Sequence, residues 1–197
     1  MSARFLSILL GITLLFAPAL PAQSLDDDNI AAMVIRSINT YPRFTIFDDL
    51  NVSVEGGAVT LRGKVTMPFK RDDVVRRVGR LDGVRSVKDD IDVLPVSTYD
   101  DDLRRKIARA IYGNSAFWQY AAMANPPLHI IVENGRVTLT GVVGSEVDRA
   151  LARSLATGFG ELSVVSQLRT DAGVRREHSA APAVQPAAVK QIKSDRK

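Results

Sequence analysis

Gly57-Ala58-Val59-Thr60-Leu61-Arg62-Gly63-Lys64-Val65 returns 78 positions later as Gly135-Arg136-Val137-Thr138-Leu139-Thr140-Gly141-Val142-Val143. In both copies aliphatic residues recur at period two, the pattern of a strand with one buried face. A turn pair stands at each start, Gly56-Gly57 or Asn134-Gly135, and before it runs a second alternating segment: Val52 and Val54, or Leu128, Ile130 and Val132. Gly-Gly and Asn-Gly tolerate the positive φ angles of tight turns, so each copy holds a β-hairpin. Gly63 and Gly141, inside the strands, mark a bulge or the close approach of a helix.

The repeat extends both ways. Upstream, Asp27-Asp28-Asn29-Ile30 with Val34 and Ile38 matches Asp100-Asp101-Asp102-Leu103 with Ile107 and Ile111, offset by 73. The apolar residues share one helical face, and the aspartates read as helix-start caps. Their spacing does not spell a calcium loop, and no metal site is assigned. Downstream, the pattern predicts helices over about residues 70–81 and 146–157. Closing strands follow, holding Val87, Ile91 and Val93, or Val164 and Leu168. Three matched blocks in one order describe a duplication. The expected class is α+β: two αββαβ modules, each a three-stranded mixed sheet covered on one face by two helices, because a strand–helix–strand crossover runs parallel. The modules span 25–95 and 99–170, joined by a short linker at 96–98.

The GxVTLxG hairpin, the acidic-led first helix and the Gly83-Val84-x-x-Val87 approach to the last strand resemble the BON domain family. The resemblance covers about residues 25–170, and the second copy departs from it with Phe159-Gly160-Glu161 in place of Gly-Val and with a longer connection before its first strand. It implies a non-catalytic envelope protein that binds phospholipid or supports other envelope proteins under stress, and it brings no catalytic residues with it.

Location is read from the first residues. Arg4 precedes an apolar run over 5–16, and small residues follow at Ala17, Ala19 and Ala22. This is a secretory signal over residues 1–22, cleaved to leave a soluble periplasmic product. The chain has 197 residues, 26 Lys+Arg, 22 Asp+Glu, 2 His and no Cys. Absent cysteine removes disulfides, thiolate zinc sites and cysteine nucleophiles. Residues 25–95 hold 11 basic and 12 acidic side chains, 99–170 hold 8 and 7, and 171–197 hold 6 and 3. Neither module is a basic body, so no nucleic-acid partner is expected. The excess lies in the tail, 171–197, which reads as disordered.

No GxSxG, HExxH or phosphate-binding glycine loop occurs, and neither an enzyme activity, a cofactor nor a small-molecule substrate is expected. His129 reads as a partly exposed strand residue. Two features read as binding surfaces. Lys70, Arg71, Arg76, Arg77 and Arg80 form a cationic ridge on the second helix, suited to an anionic phospholipid surface; a solvated helix face is the plain alternative. Phe117, Trp118 and Tyr120 lie where the second copy is longer, either as a partner or membrane-interface loop or as a lid on their own module. The expected function is peripheral binding of anionic phospholipid in envelope or osmotic-stress maintenance. The alternative is a protein-interaction or holdase-like accessory of envelope proteins.

Overall fold

A computed structural model describes residues 25–174. The expected signal segment and almost all of the expected disordered tail lie outside the described residues. Module one runs α1 (Leu25–Asn39), β1 (Asp49–Glu55), β2 (Ala58–Val65), α2 (Pro68–Val78) and β3 (Ser86–Val93). Module two runs α3 (Thr98–Tyr112), a 3-10 turn (Ser115–Phe117), α4 (Trp118–Ala121), β4 (Leu128–Glu133), β5 (Arg136–Val143), α5 (Glu146–Leu155), β6 (Ser163–Ser166) and β7 (Arg169–Thr170). Each sheet has an antiparallel hairpin whose second strand pairs in parallel with the closing strand. In module two that closing strand is broken in two. β6 and β7 keep one register against β5, Leu139 with Ser166 and Val142 with Arg169, across a gap at Gln167 and Leu168.

Each module buries its own core. Ile30, Val34 and Ile38 of α1 meet Val59, Leu61 and Val65 of β2 and Val74 and Val78 of α2. Leu103, Ile107 and Ile111 of α3 meet Val137, Leu139 and Val143 of β5 in the same manner. Every such side chain taken fully out of water contributes about 1.5–3 kcal/mol before entropy is counted. Both hairpins turn through positive φ, at Gly56 and Gly57 and at Asn134 and Gly135.

Gly63 and Gly141 are required by a neighbouring strand, not by a helix. A Cβ on Gly63 would stand 2.1 Å from the Asp49 carbonyl oxygen, and on Gly141 1.8 Å from that of Pro127. The aspartate runs also differ from expectation. Asp27 accepts hydrogen bonds from Gly56 N–H and Gly57 N–H at 2.7 and 2.9 Å, and Asp100 accepts from Asn134 N–H and Gly135 N–H, both at 2.8 Å. These carboxylates clamp the distant hairpin turn, whose amides need acceptors. The cap of α3 is Ser97, whose hydroxyl accepts from Asp100 N–H.

The modules are joined through one loop. Ile46 and Phe47 leave module one and pack on the core of module two, and the Ile46 carbonyl accepts from Ile130 N–H at 2.7 Å. That bond covers part of the open edge of β4. Lys64 at the end of β2 pairs with Glu133 at the end of β4.

Candidate functional site

α2 begins at Pro68, where a missing N–H costs nothing, and its C-terminal turn carries Arg76 and Arg77 against the negative helix end. Of the five expected ridge cations, Lys70 must be withdrawn. It stands four and eight residues before the buried Val74 and Val78, on the same side of the helix, and is only 6% exposed. Its ammonium donates to Asp48 at 2.6 Å and to the Thr66 hydroxyl at 2.7 Å. Asp48, fully buried, also accepts from the amide and hydroxyl of Thr45 and of Thr66, each at 2.8 Å. Five donors on one carboxylate satisfy a charge that burial would otherwise make very costly.

The other four cations divide. Arg71 pairs with Asp89 on β3 at 2.7 Å. Arg77 is half-buried, donates to the Ser37 carbonyl and lies 5.5 Å from the centre of the Tyr41 ring. Arg76 is exposed and pairs with Asp73 at 3.0 Å, while Arg80 is exposed. The Tyr41 hydroxyl donates to Asp73 at 2.6 Å, and this bond, with Arg76 nearby, holds the Asp73 carboxyl below its ordinary range. The solvent-facing ridge is therefore Arg76 and Arg80, with Arg71 and Arg77 tied down beside it.

Sequence reading missed the apolar neighbours of this ridge. Met67 and Phe69, at the start of α2, are 44% and 43% exposed. The Arg43 guanidinium sits 5.2 Å from the Phe69 ring centre, a cation–π arrangement. The available signal was two large apolar residues flanking a helix-opening proline, off the Val74/Val78 face.

The aromatic segment separates into lid and surface. Phe117 is fully buried in the core of module two, and Tyr120 packs beside it with ring centres 5.9 Å apart. The Tyr120 hydroxyl accepts from Gly144 N–H at 2.8 Å. Neither is available to a partner, so both leave the expected surface loop. Trp118, one position from Phe117, is 65% exposed, with Met123 exposed as well.

His129 is partly exposed, as expected. Its strand parity points it away from the core of its own module, and the loop of module one packs against it: its ring lies 5.8 Å from that of Phe44. Burial holds its pKa below the ordinary value, outweighing the opposing pull of Asp49 and of the Asp48 and Thr45 carbonyls. Its Nδ1 is buried without a partner. Beside this joint a cleft of about 380 Å³ opens between the modules, lined by Asn51 and Lys64 on one side and by Ile131, Thr138 and Thr140 on the other. Among the described residues no group of His, Cys, Asp and Glu is arranged to hold a metal ion. Among them, too, no helix is long and apolar enough to cross a membrane.

No curated protein matches the chain. Among solved structures it is similar to CdsD, a structural protein of the type III secretion system of Chlamydia trachomatis. That match has 14% identity and a TM-score of 0.27, covering 77% of this chain and all of the other. The C-terminal domain of CdsD gives 15% identity and a TM-score of 0.25 over 68% and 96%. Similarity this slight carries no functional argument. The BON domain profile, by contrast, matches residues 26–95 and again residues 99–172, one copy on each module, and the chain belongs to that family as a tandem member.

Proposed function

We propose that this chain is a non-catalytic, exported envelope protein, periplasmic after signal cleavage, that binds anionic phospholipid surfaces peripherally in envelope or osmotic-stress maintenance. The observation that carries the reading is the patch at the start of α2: exposed Met67 and Phe69 with Arg43 over the ring, Arg76 exposed further along the helix and Arg80 exposed in the turn after it. Apolar side chains of this size enter the headgroup boundary, and each nearby cation contributes about 1 kcal/mol toward an anionic surface. Attraction of this kind weakens with salt, because it decays over about 8 Å at physiological ionic strength. Family membership supports the lipid or envelope association.

Co-sedimentation with vesicles tests it. The protein is expected to pellet with anionic vesicles and not with neutral ones. Phe69→Ser with Arg76→Glu and Arg80→Glu is expected to abolish pelleting without lowering the melting temperature. Equal pelleting with both vesicle types, unchanged in the triple variant, would remove the proposal.

Trp118 supports a second reading, an accessory of other envelope proteins. An exposed tryptophan held by two buried aromatic neighbours is a pre-ordered anchor for a partner's apolar hollow. Trp118→Ala is expected to weaken crosslinked capture of such a partner while stability is kept. Undiminished capture counts against this reading.

A further inference from the structure

We infer that the cleft between the two modules is a binding site for a hydroxyl-rich, monosaccharide-sized ligand carrying one acidic group. Clefts of a few hundred Å³ at domain junctions, with a small set of convergent polar groups, are where small ligands bind, and this one holds about 380 Å³. It exists because the outward faces of the two sheets meet at one corner, where Lys64 pairs with Glu133. That ion pair belongs to both modules, and both of its members line the cleft.

The chemistry of the lining selects the ligand. Asn51, Asn134 and Gln167 present side-chain amides, and Thr138 and Thr140 present hydroxyls. Among them the Thr140 hydroxyl is buried without a hydrogen-bond partner among the described residues. A buried hydroxyl without a partner is unfavourable, because it has given up water and gained nothing in return. The lining thus holds unmet capacity that a ligand in the cleft would satisfy. Amides and hydroxyls both donate and accept, as does each hydroxyl of a sugar. Ile131, nearly buried on the same sheet face, supplies an apolar floor for the C–H side of a ring. Arg136, which also lines the cleft, has no carboxylate among the described residues within ion-pair distance. Its planar fork suits a carboxylate, and this sets the acidic group. Asp49, which also lines the cleft, opposes a ligand with several negative charges, while Glu133 is matched by Lys64.

The site is independent of the α2 patch, so vesicle binding and cleft occupancy can fail separately. The test is an NMR titration of the full chain with sodium glucuronate, glucose and sodium acetate as probes. Glucuronate is expected to shift the amides of Asn51, Thr138 and Thr140 saturably, with glucose and acetate each at least about tenfold weaker, the scale of one charge-assisted bond or a few neutral ones. Arg136→Ala is expected to bring glucuronate to the level of glucose. Thr140→Val is expected to weaken both sugars while leaving the spectrum of the rest of the protein in place. Equal response to acetate and glucuronate would overturn the hydroxyl recognition, and equal response to glucose would overturn the acidic group. No saturable shift with any probe, in a protein whose spectrum shows it folded, would overturn the site.

Discussion

At the same place in the fold the two modules solve one problem differently. After the second strand of each hairpin, a backbone N–H turns inward with no strand partner: Thr66 in module one and Gly144 in module two, 78 positions apart. In module one the acceptor is the buried Asp48 carboxylate, which then needs the Lys70 ammonium and the hydroxyls of Thr45 and Thr66. In module two it is the hydroxyl of Tyr120, carried by the inserted α4 with Phe117 behind it. The position matching Lys70 is Asp148, whose carboxylate has no hydrogen-bond partner among the described residues; only its backbone N–H is held, by the Ser145 hydroxyl. One module is closed by a buried ion pair and the other by an aromatic lid. The insertion is thus chiefly structural, and Trp118 is what it leaves outside. The cationic helix face with an exposed phenylalanine belongs to module one, the exposed tryptophan to module two.

Substitutions can break this comparison at several points. The largest effect is expected where the modules are alike. Gly141→Ala and Gly63→Ala place a Cβ against a strand carbonyl at positive φ, and each is expected to cost about 3–5 kcal/mol or to prevent folding, measured by denaturant unfolding. A milder loss in one of them would show that its hairpin can spread. Next comes the ion pair. Lys70→Ala leaves Asp48 charged, buried and short of a donor, and is expected to cost about 3 kcal/mol; Asp148→Ala, its counterpart, is expected to stay within about 0.5 kcal/mol. Equal costs would mean that the two networks are not alternatives.

The turn clamps come third. Asp100, fully buried, is expected to lose about 2–3 kcal/mol on change to Ala, and Asp27, half-buried, about 1 kcal/mol, since each removes two charge-assisted bonds in different exposure. The smallest effect is the pH dependence of the joint. His129 is held neutral by burial against Phe44. The unfolded chain takes up the proton near pH 6.5, so above that value this contribution is fully present. It is lost as pH falls through 6.5 toward the depressed folded value. His129→Gln is expected to flatten the fall in melting temperature between pH 7 and pH 5, before most carboxylates titrate. An unchanged slope would show that His129 does not report on the joint.

The fold was readable in the sequence because its signals are local: alternation in β1, β2, β4 and β5, turn glycines between them, and matched blocks that recur in one order. What escaped reading depends on partners distant in sequence. Asp27 and Asp100 bind amides 29 to 35 residues away, so they resembled caps; the repetition of an aspartate and a turn in both copies was the clue. Lys70 was misplaced although its spacing of four and eight from Val74 and Val78 puts it on the buried side, and Asp48 gave no sign of waiting for it. Strand parity gave the correct face for His129, but only the docked loop of module one half-buries it there. Phe117 and Tyr120 point inward because the insertion is a helical turn, which sets Trp118 on the opposite side.

Placement on a bilayer tests the functional account most directly. With a paramagnetic lipid label in anionic nanodiscs, NMR signals from residues at the headgroup level are broadened. Attachment through module one predicts broadening at Arg43, Met67, Phe69, Arg76 and Arg80, fading as salt rises, with Trp118 and Met123 sharp. Broadening confined to Trp118 and Met123, or none anywhere, would contradict it.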